Sequence, residues 1–469
     1  MHRRRFLVAS GALAAFARQA RADALDLRAA AREAWLYGLP LIEMAGARAR
    51  MTGVATGAAP VGVNAFVHSR DLAGPRSRGV TTPNNDTLYS SAWLDLSGGP
   101  QTITLPATGQ RYFSLALMDM YTNVFAVLGT RTTGPDRGAY SVVGPRDAGP
   151  RDALRSPTPW VWALARTLVD GAADLDAAHA IQDQLSVRGR RGRSPRPAVG
   201  RDAVWNDYFF AVQQLIEENP PPATDVGFFH DIAAMQVGMK GGFEQARFGD
   251  SEEADIAAGI GDAHALLADE NAGQQAEGGW LYPRADQGDF AQDYHYRAAA
   301  ALRGLAALPP VEAMYMRALS PSRAPTFSGE GRYRLTLPGP IPVNGFWSLT
   351  MYEAAGGGQL FLTDNPIDRY SIGDRTPGLR RGPDGAIDIW IARTDPGEER
   401  RANWLPAPAA GPFALILRAY LPKPELLGGS YRLPPVLRAE EPSAPTPPPQ
   451  PAPPAPKRRR RTRLRPLSH

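Results

Sequence analysis

Three polar turn-formers in a row, Asn84, Asn85 and Asp86, open the stretch "PNNDTLYSSAWLDL" at 83–96. Their carboxylate and amide oxygens suit a divalent cation, a sugar hydroxyl or a reacting water. The same side chains also bond their own backbone and start a strand cleanly. A second set follows in "YFSLALMDMYTNVFAVLG" at 112–129, where continued alternation puts Asp119, Tyr121 and Asn123 on one face. If both sets reach the same end of a β domain, they form one polar pocket. Asp86 and Asp119 would then serve as acid and base, with Asn84, Asn85 and Tyr121 orienting the substrate and Tyr89, Asn123 and Arg131 adding contacts. The structural alternative makes Asn84 and Asn85 turn residues, Asp86 a cap, Tyr89 packing and Arg131 of "GTRTTGP" half of a loop ion pair.

Other chemistries are excluded by what the chain lacks. It has no cysteine, so disulfides, thiolate zinc sites, iron–sulfur clusters and a Cys nucleophile are ruled out. There is no G-x-S-x-G elbow, phosphate loop, dinucleotide fingerprint or H-E-x-x-H. The histidines of the body, His68, His179, His230, His264 and His295, do not cluster. No cofactor is specified. An oxygen-only set using Asp86 and Asp119 is compatible with calcium or magnesium.

The positioning elements are two β regions separated by helices. Residues 23–60 read as a helical segment, with a stop near Gly38-Leu39-Pro40. Period-two alternation then dominates 61–169, and Leu88, Ser90, Ala92 and Leu94 make the aliphatic side of its first strand. That predicts a small antiparallel β sandwich. Helical periodicity fills 170–310, with "RDAVWNDYFFAVQQLIEENP" the clearest run and Ser251 the expected cap of a later one. The basic loop "RGRRGRSPRP" at 188–197 reads as a solvated insertion. Strands resume over 311–438 through "RYRLTL", "GFWSLTMYE", "QLFLT", "AIDIWIA" and "FALILRAYL", predicting a jelly-roll-like second β domain. There, Asn344, Trp347, Tyr352 and Glu353 could line a ligand surface, Asn403–Pro406 reads as a corner, and Arg418 and Tyr420 form a buried hydrogen-bonding face. The fold class is therefore mainly β with a helical middle.

Both ends differ from this body. Residues 1–22, "MHRRRFLVASGALAAFARQARA", carry a basic start with Arg3-Arg4, a modest apolar run and an Ala20-Arg21-Ala22 cleavage pattern, the marks of a twin-arginine export signal. Residues 439–469 hold nine prolines between Pro442 and Pro456, then a basic block from Lys457 to Arg465. Such a tail cannot build a packed core, and its cations suit anionic lipid headgroups. Without the two ends the body holds 40 basic and 45 acidic residues, so it is acidic despite a formal net charge of +5 for the whole chain. Export places the chain in the periplasm or outside the cell and argues against nucleic acid as a partner.

The ordered set "PNNDTLYSSAWLDLSGGP", "GQRYFSLALMDMYTNVFAVLGTRTTG", "GFWSLTMYE", "NPIDRYSIGD", "DGAIDIWIA", "NWLPAPAAGPFALILRAYLP" and "YRLPPVLR" resembles the bacterial family that pairs domain of unknown function 1254 with domain of unknown function 1214. The resemblance spans about 25–437. It implies a β-sandwich first domain, a helical middle and a jelly-roll-like last domain, and it implies no reaction. Two functional classes follow from the residues. One is a carboxylate-based hydrolase or lyase acting on a small polar or carbohydrate-like ligand in the first β domain. The other is a non-catalytic envelope protein that binds such a ligand or has a structural role. The subunit number, including a homo-oligomer, is left open.

Overall fold

A computed structural model describes residues 26–439, apart from 57–60, 80, 239–240 and 270–273. The expected export signal and the tail from 440 lie outside the described residues. The chain begins with α1 (Leu27–Met51), capped by the Asp26 carboxylate on the Ala29 amide at 2.8 Å. It runs straight through Pro40, contrary to the expected stop there. An internal proline costs a helix about 3 kcal/mol, but Trp35, Leu36, Leu39, Leu41 and Ile42 are all buried around it, and that packing overrides the local preference. Gly38 lets α1 approach the later helices closely: a Cβ there would lie 2.5 Å from Val212.

The first sandwich starts with β1 (Thr87–Asp95), whose Ala92 and Leu94 face the sandwich interior as alternation requires. It continues with β2 (Gln101–Leu105), β3 (Phe113–Met118), β4 (Val124–Gly129), β5 (Gly138–Val143), β6 (Leu154–Arg155), β7 (Trp160–Leu168) and β8 (Ser186–Gly189). One sheet has the order β1-β7-β3-β4, extended by a short strand at Val67–His68; the other has the order β6-β5-β2-β8. The sandwich therefore closes only with β8, beyond residue 169. The run 112–129 is not one strand. Asp119 accepts the amides of Tyr121 and Asn123, each at 2.9 Å, and Thr122 adopts a left-handed φ of 68°, so the chain turns sharply there. The stretch 188–197 is largely exposed, as expected, but it is anchored rather than free, since its first two residues belong to β8. Arg193 grips the buried Asp95 at 2.9 Å, and the Arg190 carbonyl accepts from Asn64 and Gln101.

Helix α2 (Leu175–Gln182) precedes β8, and between the sandwiches lie α3 (Trp205–Glu218), α4 (Asp250–Ala268) and α5 (Tyr294–Gly304). Gly249, not Ser251, is the N-cap of α4, and the Glu252 carboxylate returns to the Gly249 amide at 2.9 Å. Helices α3, α4 and α5 pack around α1, and one core joins them to Trp93 and Trp162 on the outer side of the first sheet, whereas α2 packs through Ala178 on Leu88 and Val169.

The second sandwich runs β9 (Ala313–Ala318), β10 (Tyr333–Leu337), β11 (Trp347–Ala354), β12 (Leu360–Phe361), β13 (Ser371–Gly373), β14 (Ile387–Ala392), β15 (Trp404–Pro406), β16 (Phe413–Tyr420) and β17 (Leu437–Arg438). Its sheets contain β9-β16-β11, with β12 and β13 both on β11, and β15-β14-β10-β17. Two further short strands, Gln275–Glu277 and Trp280–Tyr282, extend the β9 edge; apart from these and β12, the strand order is that of the first sandwich. Even a parallel strand pairing recurs, β5 with β6 in one copy and β14 with β15 in the other. The protein is mainly β with a helical middle.

Candidate functional site

The two copies meet through equivalent faces. In the first sheet the cross-strand register aligns Tyr89, Arg166 and Ser114 in one row over β1, β7 and β3. In the second, Tyr315, Arg418 and Ser348 form the same row over β9, β16 and β11. Each serine is paired with a glycine, Gly129 or Gly373, that opens a G-x-R-T-x-G loop carrying Arg131 or Arg375. Three residues before each tyrosine stands an acid, Asp86 or Glu312. Backbone contacts repeat too: Val169 donates to the Asp86 carbonyl at 3.1 Å, and Leu421 to that of Glu312 at 2.9 Å.

Both arginines are buried, Arg166 being 4% and Arg418 3% exposed. Arg166 donates through Nη2 to the Ala306 carbonyl at 2.7 Å and sits 5.2 Å from the Tyr89 ring centre. Its Nε and Nη1 find no partner among the described residues. Arg418 donates to Thr350 Oγ1 and the Thr82 carbonyl, both at 3.0 Å, and leaves Nε unbonded. Among the described residues no carboxylate is in ion-pair contact with either, although Glu312 lies within electrostatic reach of Arg166 and Asp86 of Arg418. Burial opposes charge on both guanidiniums, but the phenols around them, and Asp86 beside Arg418, favour it more strongly. Burial also pushes the hydroxyls of Tyr112, Tyr315, Tyr352 and Tyr420 upward, so they stay protonated donors at neutral pH.

The acids differ between the copies. Asp86 Oδ2 accepts from Ser348 Oγ at 2.6 Å and the Tyr420 hydroxyl at 3.2 Å, and Asn84 donates to that hydroxyl at 2.9 Å. Glu312 accepts from Tyr112 at 2.9 Å and Arg131 Nε at 2.6 Å. Burial raises the Glu312 carboxyl, against the opposing effect of Arg131 and Tyr112. Asp86, Tyr89 and Tyr315 keep some accessible surface, whereas Tyr112, Tyr352 and Tyr420 are fully enclosed.

Of the residues singled out from sequence, Asn84, Asp86, Tyr89 and Arg131 come together at this junction. Asn85 turns away and bonds the Ala73 carbonyl at 2.6 Å. Asp119, Tyr121 and Asn123 lie at the opposite end of the sheet: Thr87 is level with Leu168, whereas Met118 is level with Trp162 and Trp93. At ~3.3 Å per residue the separation is about 25 Å. Asp86 and Asp119 therefore share neither a pocket nor a cation. Asp119 caps its own turn under the helices, and Tyr121 donates to the Asn219 carbonyl at 2.8 Å. Among the described residues no three His, Cys, Asp or Glu side chains are placed to hold a metal. Arg166, Ser348 and Tyr315 escaped the sequence reading, although "GTRTTG" and "GDRTPG" advertise the repeat that aligns them.

Residues 63–189 match the family described as protein of unknown function DUF1254, and residues 312–424 match that described as DUF1214. No curated protein matches the chain. The fold is similar to the crystal structure of the VPA0106 protein from Vibrio parahaemolyticus, with a TM-score of 0.65 and 22% identity over 88% of this chain and 100% of that one. An uncharacterised protein from Burkholderia cenocepacia gives a TM-score of 0.41 at 14% identity, over 90% and 97% of the two chains. The chain belongs to the family that pairs an N-terminal DUF1254 domain with a C-terminal DUF1214 domain.

Proposed function

We propose that the chain binds a small anionic molecule between its two sandwiches and that Asp86 exchanges a proton with it. Arg166 carries this reading: a guanidinium that is 4% exposed, with two nitrogens unbonded and, among the described residues, no carboxylate in ion-pair contact, the nearby Glu312 being bonded to Arg131 and Tyr112 instead. A charge buried alone is costly, and an incoming carboxylate or phosphate offsets that cost with paired hydrogen bonds. Arg418 adds a second cation, and Ser348 and Tyr420 hold the Asp86 carboxylate in place. Carboxylate chemistry of the hydrolase or lyase kind is retained at Asp86, with an acidic ligand in place of a carbohydrate-like one. The twin-arginine pattern puts this activity in the periplasm or outside the cell, which fractionation of cells making the full chain tests directly.

The competing reading is a non-catalytic clamp, favoured by the bonds from Arg166 to Ala306 and from Arg418 to Thr82, which tie separate segments together. Thermal unfolding of wild type and Arg166→Met, with and without phosphate, acetate or succinate, separates the two. A ligand site predicts that the variant alone melts at or above the wild-type temperature, because an unpaired buried charge is gone. It also predicts that an anion stabilises only wild type. A clamp predicts a large loss of stability in the variant and no anion effect on either protein.

A further inference from the structure

We infer that the ligand carries two acid groups, one for Arg166 and one for Arg418; this rests on the reading just proposed and narrows its substrate class. The two sandwiches repeat more than a strand order. They repeat a functional row, Tyr89-Arg166-Ser114 and Tyr315-Arg418-Ser348, together with the G-x-R-T-x-G loop beside it. The loops match in detail. Phe113 donates its amide to Thr130 Oγ1 at 2.9 Å, and Trp347 donates to Asp374 Oδ1 at 3.2 Å, at equivalent positions. Both loops close on a left-handed glycine, Gly134 at φ 80° and Gly378 at φ 74°.

The two rows converge on one junction rather than two separate ones. Arg418 lies 5.9 Å from the Tyr315 ring centre, Arg166 acts electrostatically on the same tyrosine, and Tyr420 reaches from the second copy to Asp86 of the first. A ligand entering there meets the same cationic group twice, from opposite sides. One acid group answers only one arginine and leaves the other buried and unpaired, whereas two answer both. Asp86 does not take the second place, because its hydrogen bonds go to Ser348 and Tyr420 and it forms no ion pair with Arg418.

The copies have also become unequal. Arg131 neutralises Glu312 across the junction, while its counterpart Arg375 is drawn to the Val169 carbonyl and Asp170. Of the two equivalent acids, only Glu312 forms an ion pair among the described residues; Asp86 is held by hydroxyls, with Arg418 nearby but not bonded to it. Asp86 belongs to the Arg418 end of the junction, so a diacid is bound symmetrically and acted on at one end.

The test is a calorimetric series with the full chain. Oxalate, malonate, succinate, glutarate and adipate are compared with the monocarboxylates of matching length. At one chain length the diacid is expected to bind at least tenfold more tightly than its monoacid. Arg166→Met and Arg418→Met should each reduce the diacid to the monoacid level, with the Arg→Lys variants as folded controls. Equal binding of mono- and diacids by wild type overturns the two-group ligand and leaves a single anion site standing. Absence of binding by every acid in both series overturns the anion-site reading as well.

Discussion

Arg131 and Arg375 occupy the same position in the two sandwiches, yet Arg131 bonds Glu312 of the opposite sandwich while Arg375 bonds Asp170 in the loop after β7. One acid of the junction is thereby neutralised and the other, Asp86, is left to hydroxyl donors. The asymmetry rests on where each guanidinium goes.

Removing Arg131 tests the stabilising half of that arrangement. Arg131→Ala leaves Glu312 fully buried with only the Tyr112 hydroxyl, at a cost of about 2 kcal/mol, below the full penalty for a broken buried pair because Arg131 is itself partly exposed. Glu312→Gln keeps an acceptor for Tyr112 without the charge, so the double variant should regain much of the loss in urea unfolding. Equal losses with Glu312 and with Gln at 312 would contradict the pair's role.

Asp119 gives a pH dependence of definite sign. Burial pushes its carboxyl up to about 6, against the hydrogen bonds of Asn123 and Tyr121 and the charge of Arg297. The folded value exceeds the unfolded one, so this group's contribution is fully present below about pH 4 and is lost as pH rises through about 6. The change is about 3 kcal/mol at ~1.4 kcal/mol per pH unit. Relative to Asp119→Asn, wild type should weaken by that amount between pH 4 and 6.5. Parallel stability curves for the two proteins would show that Asp119 is ionised at its ordinary value.

Gly373 is the steric test of the repeated loop. A Cβ there would stand 2.1 Å from the Trp347 carbonyl oxygen, and one on Gly129 would stand 2.3 Å from that of Phe113. Gly373→Ala should cost about 3 kcal/mol or more through a backbone shift at Ser348. Gly129→Ala should be at least as severe, since its φ of 127° adds strain. Near-neutral unfolding midpoints for both would mean that the close approach is not required.

Asp95 tests the loop that the sequence presented as solvated. Asp95→Asn removes the charge that holds Arg193 and leaves the fold's core untouched. Trypsin should then cut within 190–197 several-fold faster than in wild type. An unchanged cleavage map would assign the loop's order to Asn64 and Gln101 instead.

Legibility in the sequence followed physical range. The aliphatic side of β1 was readable because alternation is local, and the motif order was enough to name the family. Asp86 and Tyr89 were found because a turn-former beside a strand end is also local. Asp119 was misplaced because alternation was carried past Met118, where a side-chain-capped turn reverses the chain. Arg166 sits in "WALARTLV", where an arginine in an apolar strand looks like ordinary sheet packing. Its meaning lies in a partner strand some 250 residues away, and only comparison of the chain with itself exposes it. Pro40 misled for a related reason: local preference lost to packing on every side of α1.

Two sandwiches of the same strand order in one chain carry a hazard during synthesis, because β7 and β16 fill the same central place and an unfinished sheet can accept the wrong one. The 123 residues between Gly189 and Ala313, the last and first of the repeated strands, separate the two strand sets in time as well as in sequence. At roughly 5–20 residues per second, that interval is about 6–25 s, far longer than a sandwich of this size needs to close. A middle segment of this length thus leaves the first copy time to finish before its double emerges.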